Sequence, residues 1–164
     1  MGSMDRAMFT KMAEQMHTEA EANMQRDGHL RQMVLLFDRN GQMTPCAVLG
    51  GMDDHVFDQL RKTVRAISAV AAIRIAEARA LPLPPGADQL PYEDLPLPSE
   101  SPSAQRQIFS EARWPWAGIH QVRITDVAEQ DGMLTLQRRP ADPDQTVTRN
   151  DVLAQLFPPV RTTT

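Results

Sequence analysis

Between Met4 and Arg26 the chain has no glycine or proline and is rich in helix-favouring residues, with Gly28 placed to end the run. The pattern predicts a helix over 4–26. Along it Met4, Met8, Met12, Met16 and Met24 fall at four-residue spacing, Ala20 fills the gap, and Phe9 and Ala13 flank the line. Such a stripe either packs on the domain's own sheet or, because methionine is adaptable and polarizable, forms a seam for a second copy or a partner.

Two apolar runs follow, at about 32–39 and 42–49, separated by Asn40-Gly41. That pair predicts a hairpin through a type I′ turn, with positive φ at both central positions. In the first run Met33, Leu35 and Phe37 alternate with Val34 and Leu36, so both faces are apolar and the strand belongs in the sheet interior. Pro45 lacks the N–H a ladder needs, which places the second strand at an edge or at a bulge. A second helix is predicted over 53–67, with Asp53 as N-cap, Met52 stapled to Phe57, and a buried stripe of Phe57, Leu60, Val64 and Ile67. Ile73 and Ile75 alternating with Arg74 predict a strand over 71–79, although continuation of the helix to about residue 80 is the competing reading.

Beyond a proline-rich stretch, three short strands over 106–114, 118–128 and 132–139 form a predicted meander. A short final helix covers 148–157, capped by Thr148 or Asn150, before the tail. Residues 81–105 carry seven of the 13 prolines together with Asp88, Glu93, Asp94 and Glu100 and no Lys or Arg. Neither flanking part covers its faces alone, so this strap is expected to link parts of one sheet and to cross its surface in extended form. Met1 to Ser3 read as an added leader ahead of Met4. The expected architecture is one α+β domain over 4–160: a mainly antiparallel sheet of about six strands with the long N-terminal helix and the second helix packed on it.

Composition narrows the classes of function. A chain of 164 residues, 41% hydrophobic and 23% charged, suits one globular domain with an adequate core. The formal net charge of −4 gives no footprint for nucleic acid. No apolar run approaches a membrane span, and a lone cysteine, Cys46, agrees with a reducing compartment, so a cytoplasmic location is expected.

The strong local catalytic signatures are missing: no P-loop, no Gly-x-Gly-x-x-Gly, no His-Glu-x-x-His, no Gly-x-Ser-x-Gly and no Cys-x-x-Cys. Asp54, His55 and Asp58 cluster at the start of the second helix, where capping acids explain them, and no metal or cofactor is expected. Cys46 reads as a small buried hydrophobe. His120, alternating with Val122 and Ile124, reads as a core histidine before it reads as an acid or base. Trp114 and Trp116 flank Pro115 at a turn, where rigid aromatics either cap a core or anchor a contact.

The order of a strand ending "AEAR" (76–79), a proline-rich gap, "PSESP" (98–102) and Arg106 resembles an uncharacterised family of small bacterial proteins. Its pattern is a strand ending Ser-Glu-Ala-Trp and then Pro-Ser-Glu-x-Pro. Here Ala76 replaces the Ser and Arg79 the Trp. The matching positions are Glu77, Ser99, Glu100 and Arg106, and the resemblance implies a fold continuous across the strap without implying an activity.

The leading expectation is therefore a non-catalytic interaction or assembly module that binds a protein partner or itself, with Met8, Met12, Met16, Trp114 and Trp116 as contact residues. The alternative is a small enzyme or ligand-binding protein whose pocket under the strap is lined by Glu77, Glu100, Arg106 and His120.

Overall fold

Asp5, not Met4, sets where the first helix begins. Its carboxylate accepts the Met8 N–H at 2.8 Å, so α1 runs Arg6–Asp27 and Met4 lies just ahead of the cap, buried with Phe9 in a hydrophobic staple. Gly28, at φ 77°, closes the other end by donating to the Met24 carbonyl. The computed structural model describes residues 2–80, 105–140 and 153–157. The remaining elements are β1 (Met33–Phe37), β2 (Met43–Ala47), α2 (Asp54–Ile67), β3 (Ala71–Ala80), β4 (Gln105–Trp114), a 3-10 turn (Pro115–Ala117), β5 (Ile119–Gln130), β6 (Met133–Arg138) and a second 3-10 turn (Leu153–Leu156). The expected caps Thr148 and Asn150, and residues 81–104 of the strap with Ser99 and Glu100, lie outside the described residues.

The six strands form one antiparallel sheet in the order β2-β1-β3-β4-β5-β6, giving the α+β domain that the pattern predicts. Residues 71–80 are strand, which settles the helix-or-strand ambiguity. Each face has its own core. Phe9, Ala13, Ala20 and Met24 of α1 pack with Leu35, Phe37, Ile73, Ile75, Ile108 and Val127 on one face. On the other, Phe57, Leu60 and Val64 of α2 join Leu153 and Leu156 over Val34, Leu36 and Ala72. β1 is buried on both faces and β2, carrying Pro45, is an edge, as their sequences require.

Only part of the methionine stripe, Ala20 and Met24, lies on the buried line of α1. Four residues turn a helix about 400°, so a strict four-residue repeat drifts roughly 40° per step and cannot hold one face for twenty residues. The line that stays buried is Phe9, Ala13, His17, Ala20 and Met24, where a three-residue step corrects the drift. Met12 and Met16 fall on its flank, and Met8 is 44% exposed.

The two hairpins differ in turn type. At Asn40-Gly41 only Gly41 has positive φ, the Gly41 N–H bonds to the Asp38 carbonyl, and the Asp38 carboxylate accepts from the N–H groups of Asn40 and Gln42. Asp38 thus builds an Asx-stabilised type I turn that ends on a left-handed glycine, and the expected type I′ turn is absent there. The two-residue type I′ turn occurs instead between β5 and β6, where Asp131 and Gly132 have φ of 53° and 79° and Gln130 pairs with Met133.

Asn40→Ala should therefore leave stability within about 0.5 kcal/mol, whereas Gly132→Ala should lower it by about 1 kcal/mol from left-handed strain alone, with nothing near its Cβ. Ser68, which ends α2 at φ 54°, should gain up to about 1 kcal/mol when changed to glycine. Urea unfolding of the three variants checks all three signs.

Candidate functional site

The α1 face of the sheet carries a buried polar chain. His17 is fully buried; its Nδ1 lies 2.7 Å from the Ser110 hydroxyl of β4 and its Nε2 2.8 Å from the Thr125 hydroxyl of β5. Thr125 donates to Glu21 Oε2 at 2.9 Å, so its oxygen accepts from His17 Nε2–H, and Nδ1 is left to accept from Ser110. The chain continues outward as Arg138 bonds Glu21 and Glu14, and Arg123 bonds Glu14 at 2.8 Å. Burial, with Arg138 adding to it, lowers the His17 pKa from 6.5 to about 4, while Arg123 and then Arg138 hold the Glu14 carboxyl below the usual range. A serine bonded to a neutral histidine has the parts of a nucleophile, but Ser110 and Thr125 are as buried as His17, so no substrate reaches them. The chain fastens α1 to β4, β5 and β6.

Sequence reasoning passed over His17. The available signal is its place on the buried line of α1, facing hydroxyl residues that interrupt the apolar positions Ile108, Ala112 and Val127 of two strands.

The residues expected to form a ligand pocket divide between the two faces. Glu77 and Arg106 are joined by a 2.8 Å ion pair under α1, where Arg106 also donates to the Gly28 carbonyl at 2.9 Å and secures the helix end. His120 faces the other way, beside Arg113 across the strand pair and 3.9 Å from Glu111 Oε1. Glu100 lies outside the described residues. Burial raises the Glu111 pKa and lowers that of His120, so their contact is between groups drawn toward neutrality and is not a strong ion pair. Glu111 also accepts the Leu153 N–H, which ties the second 3-10 turn to the sheet. Asp54, His55 and Asp58 are exposed, and among the described residues no three His, Cys, Asp or Glu side chains converge as a metal would require. Cys46 packs at the margin of the α2 core, and burial raises its pKa, the opposite of what a thiolate nucleophile needs.

What remains open on the α1 face has an apolar floor and a partly polar rim, the rim formed by Glu19, Asn23, Asp27, His29 and Arg31. α1 lies chiefly over β4, with β3, β5 and β6 beside it, so on this face β2 has no cover: Met43, Pro45 and Ala47 are exposed. Between α1 and this hairpin runs a groove of about 500 Å³, floored by Met33, Leu35 and Ile75, walled by Met16 and Ala20 on one side and by Met43 and Pro45 on the other. Of the expected contact residues, Met16 lines this groove, Met12 packs against the core and Met8 is exposed. Trp114 stands edge-on to Phe9 at 5.8 Å and belongs to the core margin. Trp116 is 69% exposed and, with Trp114, Met4, Val70 and Arg39, lines a separate hollow at the end of the sheet.

No family model, curated protein or solved structure matches the chain.

The His17 shift fixes a sign. Below pH 6.5 the unfolded chain takes up a proton on this histidine that the folded chain refuses until about pH 4, so folded stability falls as pH drops through that window. The stability advantage of the native protein over a His17→Gln variant should shrink by roughly 3 kcal/mol between pH 7 and pH 4, read by urea unfolding at each pH.

Proposed function

We propose that the protein is a non-catalytic, cytoplasmic interaction module that docks a protein partner on the uncovered half of its α1 face. The observation that carries this reading is the groove beside β2, in which Met16, Met33 and Met43 present adaptable apolar surface at the side of a rigid sheet. Two further features support it. The buried clusters that contain acid, base or hydroxyl groups fasten one element to another, as at His17, at Glu77–Arg106 and at Glu111, while the exposed Asp54, His55 and Asp58 do not converge as a metal site. No helix of the described residues is long and apolar enough to cross a membrane, so the methionines of α1 are not those of a membrane-spanning helix. Trp116 offers a second contact at the sheet end, apart from the groove, and the partner class is a protein, whether a second copy or another chain.

A partner retained from the cells that make the protein, identified and repurified, should bind the native chain, with affinity falling at least tenfold in Met43→Glu. Met43 is 43% exposed on an edge strand, so the variant should melt within a few degrees of the native chain. Equal binding by the variant, or an enzymatic turnover that survives Met43→Glu and is abolished by Glu111→Gln, would overturn the reading.

A further inference from the structure

From outside the chain the groove can be filled by a strand, by a helix or by the matching face of a second copy, and the structure discriminates among these three. Resting on the docking role proposed above, we infer that its occupant is an amphipathic helix of another protein, laid beside α1 with its apolar stripe against Met16, Met33 and Met43.

A partner strand would have to extend the sheet at β2. In this ladder the Val48 N–H bonds to the Gln32 carbonyl and the Asp38 N–H to the Gln42 carbonyl. Hydrogen-bonded pairs alternate, so Val34 with Cys46 and Leu36 with Thr44 belong to the same set, and Met43, Pro45 and Ala47 turn their backbone groups to the free edge. The middle one is proline. The edge therefore lacks its central donor, which is how natural sheets discourage strand addition.

A helix meets no such obstacle. β1 and β2 together form a strip about 10 Å wide, close to the diameter of a helix, and α1 already stands as a wall against which a second helix packs at about 8–10 Å. A helix contributes side chains and needs nothing from the edge backbone.

A second copy of this chain is a poor source of that helix. The apolar stripe of α1 is spent on its own sheet and that of α2 on the opposite core, and the outward residues of α2, such as Asp54, Asp58, Lys62 and Arg65, are polar and exposed. Among the described residues no helix presents a free apolar face for exchange.

The test is selection of random 16-residue peptides, displayed on phage, against the full chain, with counter-selection against folded Met43→Glu. The bound conformation of the survivors is then read by NMR. Survivors should carry apolar residues at i, i+3 or i+4, and i+7, bind as helices, perturb the methyl groups of Met16, Met33 and Met43, and lose at least tenfold affinity for Met43→Glu. Changing Pro45 to Thr, which restores the missing edge donor, should alter their affinity less than threefold. Survivors that alternate apolar and polar residues, bind extended and tighten on Pro45→Thr would overturn the helix while leaving docking at the groove intact. Survivors that ignore the groove methionines, or no survivors, would overturn both.

Discussion

One sheet with six strands has more surface on its α1 face than one helix covers, and that shortage shapes the molecule. α1 is drawn toward β4 and its neighbours because the buried line from Phe9 to Met24, with His17 at its centre, finds partners there, including the two strand hydroxyls that the imidazole needs. Leaving His17 without those partners would strand two ring nitrogens in a dry interface, so the polar chain fixes where the helix lies as firmly as the apolar contacts do. The position that satisfies His17 leaves the hairpin side of the face uncovered. Groove and polar lock are thus consequences of the same placement.

The other face solves the same problem differently. α2 and the 3-10 turn at Leu153–Leu156 lie over β1 and β3, with Glu111 receiving the turn's first N–H. The charged groups of the sheet accordingly serve as fasteners on both sides: Arg106 and Glu77 at the end of α1, Arg138 with Glu14 and Glu21 along its flank, and Arg139 with Asp126 on the opposite face. Partners for buried and half-buried charges are what permit so polar a sheet to keep a closed core.

Periodicity made much of this fold legible from the chain. Doubly apolar β1, proline-marked β2, the Asp53 cap and the Met52–Phe57 staple follow from residues a few positions apart, and short-range spacing is what sequence displays most directly. Turn type was less legible, because Asn40-Gly41 and Asp131-Gly132 look alike until the Asp38 carboxylate, two residues before the first pair, claims the nearby N–H groups. The methionine stripe drifts around α1, so its members end in different surroundings, Met24 buried and Met8 exposed. The groove itself was not legible: Met16, Met33 and Met43 come from three elements, and only the choice of strands under α1 decides that they meet. The separation of His120 from Glu77 and Arg106 is likewise a matter of strand parity fixed by register.

The central claim is that the groove beside β2 stands open in the isolated protein. Methionine methyl resonances recorded with and without a soluble paramagnetic agent measure this directly, because broadening reports access to each methyl group. An open groove predicts strong broadening at Met43, comparable to Met8, and intermediate broadening at Met16, with Met4 and Met24 protected. Protection of Met16 and Met43 to the level of Met24 would show that the chain fills its own groove, and would contradict the claim.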